Sequence, residues 1–357
     1  MAKQKIRVGI IGCGNIAEPY SRDLVLYPEI ELVGAADLDP ARAQALADKF
    51  DCRPYPAVED LLADPGIDLV VNLTVHHAHY AVTRQCLQAG KHVHSEKPLA
   101  MSLAEAESLV ELARAKNLRL GCAPFTYMGE AQQTAWKWIR DGRLGTVRVA
   151  YAEVNWGRIE RWHPAPAPFY EVGALFDVGV YPLTLLTAIF GPARCVWAWS
   201  KVLKADRLTK QGVPFHIETP DFVVATIELA NGLTVRLTTD FYVSPKGKQT
   251  GIEFHGDEGS VHLACWQRFD AAVEFAEFDK PYAPVPLVQE PPEGTRWGRS
   301  VADMAQAIIV DKPHRATGEH AAHIVEILCA AVESARSGRP VKVRSTFSPP
   351  APMEWAL

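Results

Sequence analysis

Ile6-Arg7-Val8-Gly9-Ile10-Ile11-Gly12-Cys13-Gly14-Asn15-Ile16-Ala17 is the stretch that decides the fold of this chain. An apolar run suited to a buried strand meets a G-x-G-x-x-A turn, and residues 15–27 beyond it have the make-up of a helix. Gly12 permits the tight turn, Gly14 lets backbone N–H groups approach a phosphate, and Ala17 keeps helix and strand close. The helix N-terminus adds partial positive charge where a pyrophosphate would sit. An acidic residue, Asp37, closes the next apolar strand, ~20 residues past Ala17. A carboxylate there accepts hydrogen bonds from ribose hydroxyls and repels a 2′-phosphate, and the nearest arginine, Arg42, lies inside the following helix. The pattern predicts a dinucleotide site and favours NAD over NADP. A cap on the following helix is the competing structural reading of Asp37.

The alternation continues outward to about residue 123. Strands are predicted over 31–36, 68–74, 91–94 and 118–122, with helices over 40–50, 80–89 and 103–116. That rhythm gives an α/β domain, a doubly wound parallel sheet with helices on both faces. Further on, residues 146–154, 221–229, 233–242, 251–254 and 260–263 alternate as half-buried strands. Asn231-Gly232 and the stretch 255–259 read as hairpin turns between them. This half predicts an α+β domain built on a large, mostly antiparallel open sheet with helices on one face. Residues 299–310 and 318–336 read as amphipathic helices that pack back on the first domain. The expected division is 1–123 for the Rossmann domain, 124–345 for a substrate and oligomerisation domain, and 346–357 for a Pro-rich tail.

At 357 residues the chain is long enough for two domains of roughly 150 residues each. Hydrophobic residues at 48% and charged residues at 22% exclude extended disorder. Thirty-seven basic against 42 acidic side chains leave a charge of -5, without the basic footprint of a nucleic-acid binder. No apolar run is read as reaching the ~20 residues of a membrane span, and no signal-peptide core opens the chain, so a cytoplasmic location is expected. Seven scattered cysteines without a C-x-x-C read as reduced thiols. The 12 histidines, including His76, His77 and His79 in one loop, form no strong ligand spacing, and no metal is expected.

Four further segments agree in order and spacing with one known family. Ala89-Gly90-Lys91-His92-Val93-His94-Ser95-Glu96-Lys97-Pro98 resembles the Glu-Lys-Pro signature of the glucose–fructose oxidoreductase/inositol dehydrogenase (Gfo/Idh/MocA) oxidoreductases. Val71-Asn72-Leu73-Thr74-Val75-His76-His77-Ala78-His79 resembles the family's T-P-N-x-x-H loop, with Val75-His76 in place of Pro-Asn. Residues 139–147 resemble the start of its second domain. Asp177-Val178-Gly179-Val180-Tyr181 resembles its D-x-G-x-[HY] helix in the tyrosine form of dihydrodiol dehydrogenase-like members. The frequent arginine after the last Rossmann strand is missing from residues 123–128.

The resemblance implies hydride transfer between nicotinamide and a sugar, polyol or related carbohydrate, with a cis Lys97–Pro98 bond. Lys97 at the carboxyl edge of the sheet donates to the reacting oxygen and is the electrostatic partner of Tyr181. Tyr181 is the acid/base, its phenol needing a cationic neighbour because its ordinary pKa is near ~10. Asp177, four residues before it, orients the substrate. Gly12, Gly14, Asn15, Ile16 and Asp37 are expected at the cofactor, joined by Thr74, His76, His79, Glu96 and Lys97. Tyr127 and His163 are expected at the substrate, with core packing and a ring-anchored loop as their structural alternatives. A homodimer or homotetramer is expected. Redox-neutral sugar chemistry on retained NAD and a non-catalytic dinucleotide sensor remain alternatives.

Overall fold

The computed structural model describes residues 5–357, and the chain separates into two units. The first ends at Phe125 and takes back Arg296–Val325; the second holds Thr126–Thr295 and Glu326–Leu357.

The first unit opens with β1 (Ile6–Ile11), α1 (Ala17–Leu24), β2 (Ile30–Ala36), α2 (Pro40–Phe50), β3 (Arg53–Tyr55) and α3 (Val58–Ala63). It continues with β4 (Leu69–Asn72), α4 (His79–Gln88), β5 (His92–Ser95), α5 (Leu103–Ala115) and β6 (Leu120–Cys122). The six strands lie in the order β3-β2-β1-β4-β5-β6, and every neighbouring pair is parallel. Strand order reverses between β1 and β4, so the carboxyl ends of those strands form the crevice where open α/β sheets bind ligands. Apart from half-buried Arg7, β1 and β4 are buried throughout, as strands covered on both faces must be. Two elements escape the sequence pattern. β3 is a three-residue edge strand containing Pro54, and α3 has only six residues, too few for periodicity to register. α1 begins at Ala17 because the residues before it belong to the turn, where the Ala17 N–H donates to the Gly14 carbonyl at 3.0 Å.

The second unit runs α6 (Glu130–Arg140), β7 (Val147–Asn155), α7 (Ala167–Ala174), α8 (Val180–Phe190), β8 (Ala193–Lys201), β9 (Asp206–Leu208) and β10 (Pro214–His216). β11 (Phe222–Leu229), β12 (Thr234–Asp240), β13 (Gly251–Gly256), β14 (Gly259–Leu263), β15 (Val273–Glu277) and β16 (Ala283–Pro284) follow. After α9 (Arg299–Ile309) and α10 (Gly318–Ser337), β17 (Val341–Lys342) closes a nine-stranded sheet of order β16-β15-β14-β13-β7-β12-β11-β8-β17. All its pairings are antiparallel except β7 with β12. Asn231-Gly232 makes the expected hairpin, with Gly232 at φ +90° and the Leu233 N–H held by Asn231 Oδ1 at 3.0 Å. On one face Ala150, Ala152 and Val154 of β7 and Val235, Leu237 and Thr239 of β12 are buried. β8 was not legible in sequence: its buried Ala193, Val196 and Ala198 face one side while Trp197 and Trp199, half exposed, put aromatics where alternation calls for polar residues.

The continuous helical run Ala167–Phe190 corrects the expectation that no segment has membrane-spanning length and apolarity. It passes that test, yet 94% of its apolar window is buried within the fold, and Gly173 breaks it at φ +81°. It is the core helix of its unit. Beneath the β9–β10 hairpin, the Arg207 guanidinium is fully buried. It donates to Glu160 Oε1 at 2.9 Å, to the Tyr170 hydroxyl at 2.7 Å and to Asp221.

The chain's return replaces a contiguous second domain over 124–345 with an interrupted one. α9 packs its apolar face on α1 and β6, while α10 passes from the first unit into the second. Ser300 Oγ meets His94 Nε2 at 2.6 Å, and the Gly298 N–H reaches Asp23 Oδ2 at 3.3 Å. The Pro-rich tail is docked on α6, where Arg140 donates to the Ala356 carbonyl at 2.6 Å and the Met353 N–H to Gln133 Oε1 at 3.1 Å.

Burial pulls three histidines of the first unit far below their ordinary range: His94 and His320 to about 3, and His79 to about 4. Unfolding lets each take up a proton below pH ~6.5, so stability is full above that value and falls as pH drops towards the folded values. The three together give a slope of about 4 kcal/mol per pH unit in the steepest part of that window. Asp240 in the second unit, raised to about 6 by burial, works in the opposite sense. Urea midpoints at pH 5 and pH 7 check this; equal midpoints would remove the histidines as the acid-labile element.

Candidate functional site

The carboxyl ends of β1, β4 and β5 carry the site of the first unit. Gly12 stands at φ +94°, and a Cβ there would lie 2.7 Å from the Leu73 carbonyl, so the turn after β1 and the chain leaving β4 touch backbone to backbone. At Gly14 a Cβ would meet nothing within 4 Å, which leaves an open cradle over the start of α1. Ile16 caps that helix without any side-chain hydrogen bond, and Asn15 beside it is exposed. Asp37 ties the cradle together: Oδ2 accepts from the Cys13 N–H at 2.6 Å and Oδ1 from the Asp39 N–H at 2.8 Å. The cap of α2 is Asp39, which accepts from the Ala41 N–H at 3.0 Å and pairs with Arg42 at 3.5 Å. Burial and the Asp37 charge push the Cys13 thiol up to about 12, so it stays neutral. A cradle open at Gly14, an α1 N-terminus and a carboxylate one strand away fit a dinucleotide's pyrophosphate and ribose.

The Thr74 loop is organised by a residue that sequence reasoning passed over. Asn72, fully buried at the end of β4, accepts from Thr74 Oγ1 at 2.7 Å and donates to the His79 carbonyl at 3.2 Å and to Thr83 Oγ1 at 3.0 Å. The available signal was an amide closing an otherwise apolar strand. His79 is likewise buried, with Nδ1 2.8 Å from the Pro98 carbonyl and Nε2 3.0 Å from the Thr74 carbonyl. This corrects its expected side-chain contact with the cofactor. Both nitrogens face the chain's own carbonyls, and burial keeps the ring neutral with a single N–H, so it donates to either the Thr74 or the Pro98 carbonyl, not to both. His76 sits half-buried in the turn His76–Ala78, its ring 5.9 Å from that of His79.

Glu96 also acts as a brace. Oε1 accepts from the Tyr20 hydroxyl of α1 at 2.6 Å, and Oε2 from the Lys97 N–H at 3.2 Å. Tyr20 is a second residue the sequence reading missed, a buried phenol in the glycine-turn helix. Lys97 itself is half-buried just past β5, and the Lys97–Pro98 bond is cis, as is Ala123–Pro124.

In the second unit, Asp177 and Tyr181 are buried in the helical run before and within α8. Leu175–Gly179 is a turn of π-helix, so Asp177 lies in that turn and Tyr181 in the α-helix that continues it. Pro182 lies inside the continuous run, three residues past the π-turn Leu175–Gly179, and contributes no N–H to the helix there. The Tyr181 ring packs on Trp266 at 4.8 Å. His163 takes its structural alternative: Nδ1 lies 2.8 Å from the Ala165 carbonyl, and the ring is edged by Phe169 at 4.8 Å and Trp162 at 5.5 Å. Tyr127 is fully buried. Among the described residues no three His, Cys, Asp or Glu side chains converge as a metal site. His92 accepts from the Arg119 N–H at 2.8 Å.

Known proteins match on both units. The model of the oxidoreductase family with an NAD-binding Rossmann fold covers residues 6–123, and that of the GFO/IDH/MocA C-terminal domain covers 132–262. A trans-1,2-dihydrobenzene-1,2-diol dehydrogenase of Bos taurus is 28% identical over 286 residues, 78% of this chain and 81% of the relative. An NADP-dependent D-xylose 1-dehydrogenase of Hypocrea jecorina is 32% identical over 201 residues, 50% of this chain and 51% of the relative. A levoglucosan dehydrogenase solved with NADH and levoglucosan shares the fold at TM-score 0.81 and 22% identity, over 95% of this chain and 100% of that one. With both family models matched in order over most of its length, the chain belongs to the Gfo/Idh/MocA oxidoreductases, enzymes built on an NAD-binding Rossmann domain.

Proposed function

We propose that the protein is an NAD-dependent dehydrogenase that oxidises a secondary alcohol or lactol of a sugar, polyol or related carbohydrate. The observation that carries this reading is the convergence, in the first unit, of the open Gly14 cradle, the Asn72-organised Thr74 loop and the Lys97 segment beside His79. Bound NAD would supply the carbon that accepts the hydride. Gly12, Gly14, Asn15 and Ile16 would hold its pyrophosphate, and Asp37 its ribose. Lys97 holds an ammonium at the reacting oxygen and stabilises the charge that develops there. Tyr181 takes the hydroxyl proton, and Asp177 accepts a hydrogen bond from a neighbouring hydroxyl. The names of the relatives, acting on a diol, xylose and levoglucosan, support the substrate class. We also propose a homodimer or homotetramer, supported by half-exposed Trp197 and Trp199 on β8.

NAD is favoured over NADP because Asp37 presents a carboxylate with Arg42 already paired to Asp39. Asp37→Ser is expected to raise the KM for NAD about tenfold and to narrow the NAD-to-NADP preference by at least as much. An unchanged preference ratio would take the discriminating role away from Asp37.

The reading is tested by NADH formation across aldoses, polyols, inositols and glycosides, beside Tyr181→Phe. Turnover that falls by about 10²–10⁴-fold in the variant supports it. Product from a glycoside or sugar pair without net NADH would transfer the protein to redox-neutral chemistry, and NAD binding without product would make it a sensor.

A further inference from the structure

A groove of about 920 Å³ lies in the second unit, between the turn Ile159–Arg161 and the β9–β10 hairpin, within the size range of small-ligand sites. Its lining includes Arg158, Arg161, Lys204 and Lys210. Among the described residues none of these four cations has a carboxylate partner. Arg158 lies over the Tyr242 ring at 4.3 Å, a contact that leaves its charge uncompensated. Of the two acids of the lining, Glu160 is paired with buried Arg207 at 2.9 Å, while Asp206 hydrogen-bonds His216 Nδ1 at 2.8 Å and keeps its own negative charge, leaving the four cations in excess. In a chain of net charge -5, such a concentration of unpaired cations is not a product of composition. Like charges around one concavity repel one another and focus a positive potential into it, which an anion relieves.

A second observation connects this groove with Tyr181. The Tyr181 ring meets Trp266 at 4.8 Å, Trp266 meets Trp156 at 5.7 Å, and Trp156 meets Trp162 at 6.4 Å. Trp162 is 46% exposed and follows Arg161 of the groove directly in the chain. A row of aromatic rings therefore runs from the proposed acid/base to Trp162, the neighbour in sequence of Arg161 in the groove.

We infer that the groove holds the phosphate of a phosphorylated carbohydrate substrate, whose sugar lies along the Trp266–Trp156–Trp162 row and whose anionic end lies among Arg161, Lys204 and Lys210. This rests on the dehydrogenase reading and narrows its substrate class. A phosphate offers a charge near −2 and several acceptor oxygens, matching a cluster of separate donors better than a single carboxylate does. The same chemistry comes from a sugar monophosphate or from a nucleoside-diphosphate sugar.

The test uses the full chain saturated with NAD, so that the glycine turn does not itself capture the probe. Pyrophosphate and inorganic phosphate are titrated calorimetrically into the wild type and into Arg161→Ser/Lys204→Ala/Lys210→Ala, three exposed changes that leave the buried Arg207 cluster intact. Turnover is measured in parallel on neutral sugars, their monophosphates and their nucleotide forms. Saturable binding that weakens at least about tenfold in the variant and with added salt is expected. So is a fall of at least about tenfold in the ratio of kcat/KM for phosphorylated over neutral sugar. Whether the monophosphate or the nucleotide form turns over faster identifies the source, and either supports the inference. Equal binding by both proteins, or a wild type that prefers neutral sugars, overturns it. A variant that loses its oligomeric state while its phosphate binding is unchanged overturns it too, assigning the groove to a subunit contact. If no sugar yields NADH, the dehydrogenase reading fails by itself. Pyrophosphate binding lost in the variant would still support the anion site in that case, and its absence from the wild type would still refute it.

Discussion

Lys97→Met is expected to lower kcat on the best carbohydrate substrate by at least about 10³-fold, well beyond any change in NAD affinity. The size of the effect follows from how firmly the residue is placed. Glu96 Oε2 accepts from the Lys97 N–H at 3.2 Å, and the following Pro98 carbonyl lies 2.8 Å from His79 Nδ1. The backbone therefore stays in place when the side chain changes, and a methionine of similar reach deletes the charge alone. An ammonium in a half-buried position acts in a medium less screened than water, so its loss is felt at the developing oxyanion rather than in ground-state binding. Steady-state kinetics with a separate NAD titration checks the split. A fall of less than tenfold in kcat, or an equal fall in NAD affinity, would reduce Lys97 to a cofactor contact.

Arg207→Leu should cost the second unit about 3–5 kcal/mol, more than any cavity of that size. The guanidinium is fully buried and serves Glu160, Asp221 and the Tyr170 hydroxyl together. Removing it strands two carboxylates out of water. A stranded carboxylate takes up a proton more readily folded than unfolded, so the variant's stability falls as pH rises and recovers as pH falls towards 5. The wild type's first unit moves the opposite way across that range, because its buried histidines resist protonation. Urea unfolding at pH 5 and pH 8 separates the two trends. A triple replacement of Arg207, Asp221 and Glu160 by apolar residues is expected to regain much of the loss, since no charge is then left unpaired. A single variant within about 1 kcal/mol of wild type at pH 8 would refute the cluster's structural role.

Much of the fold is legible where one rule acts alone. β1 and its glycine turn obey a short-range rule, because Gly12 must meet Leu73 and no side chain fits between them. The hairpin at Asn231-Gly232 is equally local. Legibility fails where distant partners decide. Asn72 and Tyr20 look like ordinary strand-end and helix residues until their partners, Thr74, His79 and Glu96, are brought alongside. His79 carries a polar ring that suits a ligand on paper, and only the two carbonyls facing it assign it to the scaffold. Asp177 lies in a π-turn packed against β12, and that turn is not written in its spacing from Tyr181.

The return of Arg296–Val325 to the first unit bears on the order in which the protein is made. The ribosome delivers all six strands of the parallel sheet before residue 125. The helix that covers α1 and β6, together with the Ser300 hydroxyl that meets buried His94, comes only after some 170 further residues have been added, about half a minute's synthesis at the slower rates. Through that interval the nascent sheet lacks one of its walls. The first unit is begun earliest and completed among the last, and any fragment cut after residue 125 is an arrested intermediate of synthesis, not a portable module.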